Sequence, residues 1–260
     1  MRPAARLRSV PAPRDAPPLL LIAHGSRDPR HAATVRALTR RVRAARPGLR
    51  VVTGFLDFCT PSVPQVLDGL ARDGVREAVA LPLLLTRAFH AKSDIPAVLR
   101  EAPARLRVTQ GEVLGPSPLL IAALERRLAE AGLRPGDRSS TGVVLASAGS
   151  TDPEAGAVIA EIAREWRHTG WCAVRPAFAS ALLPRTEDAV RALRAEGVRR
   201  IAVAPYVLAP GFLPDRIAGG AREAGADLLA PVLGAAPEVA ELLLRRYDEA
   251  LLPARRLIPA

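Results

Sequence analysis

The chain has four histidines, and two of them stand where chemistry is possible. His24 sits in IAHGSRDP, Ile22 to Pro29, at the end of an apolar run. His90 sits in PLLLTRAFHAKSDIP, Pro82 to Pro96, just past another. Between them, Asp57 leaves a third apolar run. Two neutral imidazoles and a carboxylate can hold a borderline divalent ion such as Fe, Co, Ni or Zn. Imidazoles can equally accept protons near neutral pH, where they titrate unperturbed. The competing reading makes each histidine a hydrogen-bonded residue at a strand end and Asp57 a capping or turn residue.

An internal repeat separates these readings. LLIAHGSRDP, ending at Pro29, matches VLASAGSTDP, ending at Pro153, and TPSVPQVLDGLARDGVR, Thr60 to Arg76, lies over LPRTEDAVRALRAEGVR, Leu183 to Arg199. Gly25, Ser26, Asp28 and Pro29 recur as Gly149, Ser150, Asp152 and Pro153. The histidines do not recur: Ala148 replaces His24, and Leu213 replaces His90 in GFLP, where Phe212 keeps the place of Phe89. Ser180 occupies the region of Asp57. Imidazoles that served only the fold would be needed twice, so the pair reads as chemistry. Asp28 with Pro29 reads as a helix start, with Asp at the cap and Pro in the first turn. His31 and His168 read as surface residues. Cys59 reads as a small buried thiol that could also reach the site.

The elements that must position these residues follow from hydrophobic patterning. Strands are predicted over 19–23, 49–55, 77–85 and 106–114, and helices over 32–45, 63–71, 95–101 and 118–131. Near-continuous apolar strands alternating with helices define an α/β fold class with parallel sheets covered on both faces. The repeat predicts two similar domains, 18–134 with the active site and 140–252 with a degenerate one, after a disordered extension over 1–17. Ligands in such folds bind beyond the carboxyl ends of strands. His24, Gly25, Ser26, Asp57, Thr86, Arg87, Phe89, His90, Gly115 and Ser117 therefore belong on one rim.

Composition narrows the function classes. Apolar residues make up 49% of 260 and aromatic residues 3%, which suits an aliphatic core and leaves little for base stacking. The formal charge of +11 lies wholly in residues 1–136, with 22 basic and 11 acidic residues, while the remainder holds 15 of each. That asymmetry reads first as an ordinary solvated surface and otherwise as a field that draws an anionic ligand towards one face, while the neutral second half and scarce aromatics argue against nucleic acid. The motif GSRD is neither GxGxxG nor GxxxxGK[ST], and GxSxG is absent, so neither nucleotide binding nor a serine hydrolase has specific support. Two cysteines make no disulfide framework, and no apolar run is long enough to span a membrane, so a cytoplasmic protein without membrane association is expected.

AHGSRDP together with PLLLTRAFHAKSDIP resembles the class II tetrapyrrole chelatases, the sirohydrochlorin chelatase group, and the likeness covers most of residues 18–252. The resemblance implies a chelatase fold of two similar α/β domains around a cleft, here in the long form within one chain. It implies a lyase that inserts Fe2+ or Co2+ into sirohydrochlorin with release of two protons, in siroheme or cobalamin biosynthesis. Its metal-binding histidines fall on His24 and His90, and its acidic residue, usually Glu, falls on Asp57. Gly25, Ser26, Arg27, Arg87, Phe89 and Lys92 would bind the anionic macrocycle. No tightly bound cofactor is expected, since the divalent metal is a substrate, and a monomer is plausible. The alternatives are a chelatase for another tetrapyrrole and a non-catalytic carrier of metal or tetrapyrrole.

Overall fold

A computed structural model describes residues 16–86 and 94–255. The first sheet is built from β1 (Leu19–Ala23), β2 (Val51–Phe55), β3 (Glu77–Pro82) and β4 (Arg107–Gln110), all parallel, in the order β2-β1-β3-β4. The second contains β5 (Thr141–Ser147), β6 (Ala173–Phe178), β7 (Arg200–Tyr206) and β8 (Leu228–Leu229), in the order β6-β5-β7-β8. β1 and β5 are central and wholly buried. In β1, Leu19, Leu21 and Ala23 face one apolar cluster, whereas Leu20 and Ile22 face the other. Burial on both faces explains the unbroken apolar run, and each such leucine stabilises the fold by roughly 2 kcal/mol.

Helices α1 (Pro29–Ala45), α2 (Val63–Arg72) and α3 (Ile95–Arg100) belong to the first half, as does α4 (Pro118–Glu130). The second half has α5 (Pro153–Arg167), α6 (Thr186–Ala195), α7 (Phe212–Glu223) and α8 (Pro237–Arg255). A short 3-10 turn, Pro135–Ser140, joins the halves. Asp28 and Asp152 cap α1 and α5, accepting from Arg30 N at 2.9 Å and Glu154 N at 3.0 Å. Each half lends its last helix to the other. α4 packs on β7 and α8, while α8 packs on α1, β3 and α4. One core cluster consequently contains Leu120 and Leu124 of α4 beside Ala202 of β7 and Leu243 of α8.

Polar links fasten these exchanged helices. Arg46, at the C-terminal cap of α1, pairs with Asp248 of α8 at 2.5 Å, and Arg126 of α4 pairs with Glu238 of α8 at 2.6 Å. Burial pushes the Glu238 carboxyl up, but hydrogen bonds from Arg126 outweigh it and hold the group below its ordinary value. The Tyr247 hydroxyl donates to Pro17 O at 2.7 Å. Residues 1–15 of the expected extension lie outside the described residues. Among the described residues, no helix is long and apolar enough to cross a membrane.

Three strands are shorter than the apolar runs suggest, β2 beginning at Val51 rather than Leu49. β3 ends at Pro82 rather than Leu85, because its neighbour β1 turns away after Ala23; Leu83 N still donates to Ile22 O at 2.8 Å. β4 spans Arg107–Gln110 rather than 106–114, as an exposed edge with β3 as its single neighbour. Beyond it the chain stays against β3 without regular pairing, with Leu114 N donating to Leu84 O at 2.8 Å.

Candidate functional site

The rim is organised by Gly25. It holds φ +96°, and a Cβ there would lie 1.8 Å from Asp57 O, so only glycine allows the β1 exit to press against the β2 exit. That approach lets Asp57 N donate to His24 O at 2.8 Å. His24 and Asp57, 33 positions apart in sequence, become neighbours through their backbones. Both are exposed. Asp57 Oδ1 accepts from Phe58 N at 2.8 Å, which orients the carboxylate at the head of its loop.

The remaining groups of the loop divide between structure and surface. Ser26 Oγ accepts from Asp28 N at 3.1 Å, and Ser150 Oγ accepts from Asp152 N at 3.0 Å, so this hydroxyl supports the turn in both halves. Arg27 is exposed, with its guanidinium carbon 5.1 Å from the centre of the Phe58 ring. Arg30 binds Asp28 and also reaches Asp215 of α7 at 2.5 Å, bridging the two halves beside the rim. Its hydrogen bonds hold the Asp28 carboxyl below the usual carboxylate range. Arg87, Phe89, His90 and Lys92 lie outside the described residues. Among the described residues, no group of three or more His, Cys, Asp or Glu side chains is placed to hold a metal ion.

Three residues differ from their sequence reading or were not singled out by it. His31 is half-buried in the first turn of α1 rather than a surface residue, and its Nδ1 is buried with no hydrogen-bond partner among the described residues. Burial pushes its imidazole below the ordinary value, and the nearby His24 adds to the shift. Cys59 is half-buried and does reach the rim: its thiol donates to Ser26 O at 3.2 Å and ties the two exit loops together. Phe58 had no periodic pattern to mark it. It is 51% exposed, with its ring nearly parallel to that of His24 at 9° and 6.4 Å between centres. His168, by contrast, is an exposed cap residue at the end of α5.

The second half repeats the frame without the histidine and the aspartate. Gly149 holds φ +86°, and a Cβ there would lie 1.9 Å from Ser180 O, the counterpart of the Gly25 and Asp57 contact. Ala181 at φ 60° matches Phe58 at φ 58°, and Thr60-Pro61 and Leu183-Pro184 are both cis. Ala148 and Leu213 pack, partly buried, against the apolar cluster of that half. Two grooves of about 590 and 600 Å³ lie elsewhere, beside β2 and between α4 and α8, and include none of these rim residues.

Two parallel four-stranded sheets flanked by helices match the chelatase fold. SirB from Bacillus subtilis with Fe3+ superposes with a TM-score of 0.80 at 24% identity, over 93% of this chain and 98% of that one. A CbiX structure described as the terminal enzyme of siroheme biosynthesis in denitrifying bacteria gives 0.67 at 25% identity, over 90% and 99%. The CbiX family model matches residues 18–131 and 142–250, and the chain belongs to that family. A sirohydrochlorin cobaltochelatase of Priestia megaterium is 28% identical over 76% of this chain and 66% of its own length. This chain thus spans just under two thirds of that relative. A sirohydrochlorin ferrochelatase of Bacillus subtilis strain 168 is 24% identical over 89% and 90%.

Proposed function

We propose that this protein is a sirohydrochlorin chelatase that takes Fe2+ or Co2+ as substrate and inserts it into the tetrapyrrole with release of two protons. The observation that carries the reading is the doubled frame. Gly25 and Gly149 form the same close turn, yet His24 and Asp57 stand on the first and Ala148 and Ser180 on the second. Chemistry has been added to one copy of a shared architecture. Membership of the CbiX family and the names of the relatives, divided between cobalt and iron, support the same reaction.

In this proposal the exposed His24 imidazole presents a nitrogen lone pair to the incoming ion, and His90 supplies the second. Asp57, held against His24 by the backbone contact at Gly25, contributes negative charge beside the ion and fixes its side of the approach. The two imidazoles then accept the pyrrole protons that the metal displaces. Arg27, with Arg87 and Lys92, meets the peripheral carboxylates of the macrocycle. The second half contributes wall without a second metal site. Both metals suit this donor set, so cellular supply decides between them.

Purified protein, sirohydrochlorin and Fe2+, Co2+ or Ni2+ under anaerobic conditions, followed by absorbance, test the reading. Iron or cobalt insertion above the uncatalysed rate is expected. Tight binding of both substrates with no acceleration would make the protein a carrier instead. Rising salt should raise the KM for the anionic tetrapyrrole.

A further inference from the structure

Phenylalanine is scarce here, five in 260 residues. Phe55 and Phe178 are buried, while Phe58 and Phe212 are 51% and 74% exposed. Both exposed rings carry a guanidinium: Arg27 stands 5.1 Å from the centre of Phe58, and Arg216 stands 5.9 Å from that of Phe212. They come from different halves, and the segments that carry them both approach the β1 exit. Phe58 lies on the β2 exit beside His24. Phe212 opens α7 directly after Gly211, where a Cβ would lie 3.9 Å from Ser26 Oγ. The Arg30 to Asp215 ion pair, 2.5 Å, ties the start of α7 to the start of α1.

Neither ring is used by the core. Phe58 also holds φ 58°, a left-handed conformation that a bulky residue adopts only at a cost. Its counterpart Ala181 keeps the turn without the aromatic ring, so the turn is architecture and the ring is an addition. Exposed aromatic rings with unburied guanidiniums over them match a ligand with a flat conjugated body and carboxylates at its edge.

We infer that Phe58 with Arg27 and Phe212 with Arg216 form a two-sided clamp, one side from each half, that stacks on a conjugated polycarboxylate macrocycle and holds it over His24. This rests on the chelatase reading for the identity of the macrocycle. It assigns the second half, which lacks the histidines, a direct part in substrate binding.

Metal-free sirohydrochlorin and uroporphyrin, titrated by absorbance and fluorescence, test the clamp. Phe58→Ala and Phe212→Ala should each raise the Kd about tenfold, in line with the loss of one stacking face, and Phe→Tyr at either position should restore it. In turnover, Phe212→Ala should lower kcat/KM chiefly through KM. Phe58→Gly separates binding from folding, because it should raise Tm by about 2–4 °C by relieving the positive φ while still weakening the macrocycle. Leu252→Ala, exposed on α8, should leave binding unchanged. Wild-type affinity in both alanine variants, or tyrosine variants as weak as alanine, would overturn the clamp, as would a wild-type protein that binds neither macrocycle. A protein that binds uroporphyrin through both rings yet inserts no metal into sirohydrochlorin would keep the clamp and remove the chelatase reading.

Discussion

The β1 exit of the first half and the β5 exit of the second follow the same path through the same glycine, serine and capping aspartate, and carry different side chains. Gly25 and Gly149 each touch the backbone of the facing loop, and Ser26 and Ser150 each accept from the capping aspartate two residues on. The β1 and β2 exits of the first half then present His24, Asp57 and Phe58 to solvent. The second presents Ala148, Ser180 and Ala181, and Ser180 Oγ donates to Ala148 O at 2.8 Å, closing the loop on itself. The difference teaches which parts of a motif make the turn and which parts use it. α1 and α5 show the same split in charge: α1 holds five arginines and no acidic residue, whereas α5 balances Arg164 and Arg167 with Glu154, Glu161 and Glu165.

Substitutions that make one half resemble the other break or sharpen this contrast. The largest effect is expected from His24→Ala, which copies Ala148: metal insertion should fall by at least about 100-fold with Tm unchanged, and Ala148→His should not restore it. Gly25→Ala and Gly149→Ala should behave alike, since each new Cβ strikes a carbonyl oxygen. Each should cost about 3 kcal/mol or more, read from denaturant unfolding. A loss confined to one of them would show that the two turns are not equivalent.

Smaller effects come from the charges that fasten the halves. Arg126→Ala should cost about 1 kcal/mol by leaving the half-buried Glu238 unpaired. The Glu238 carboxyl is held below 4.5 in the folded protein, so its contribution is present above that pH and lost as pH falls through the folded value. Arg126→Ala should therefore flatten the acid limb of the stability profile. His31 acts at higher pH. Its folded pKa lies below 6.5, so the unfolded chain binds the extra proton and stability falls as pH drops below about 6.5. His31→Ala, which copies Ala155, should remove that part of the slope, as followed by Tm against pH.

Much of this was legible in the sequence. The repeat, the parallel α/β class and the capping role of Asp28 followed from apolar runs and turn residues, because continuous burial of both sheet faces leaves an unmistakable pattern. The ends of β3 and β4 did not, since the apolar runs continue past Pro82 and Gln110 while regular pairing stops. His24 and Asp57 could be placed on a shared rim by the strand-end rule, but their contact depends on the carbonyl under Gly25, which no spacing encodes. His31 looked exposed beside Arg30 because helical phase alone could not show which way the first turn of α1 faces. Phe58 carried no signal, because Arg27, which meets its ring, lies far away in sequence, whereas Phe212 could be noticed only as the counterpart of Phe89. Exchange of α4 and α8 between the halves left no mark in either repeat.

In the proposed reaction one rim of the two handles metal. Titrating Co2+ into the wild-type protein and into His24→Ala, read by calorimetry and by the visible absorption of the bound ion, tests it directly. One Co2+ bound per chain in the wild type and none in His24→Ala is the predicted result. Two per chain, or undiminished binding in His24→Ala, would contradict it.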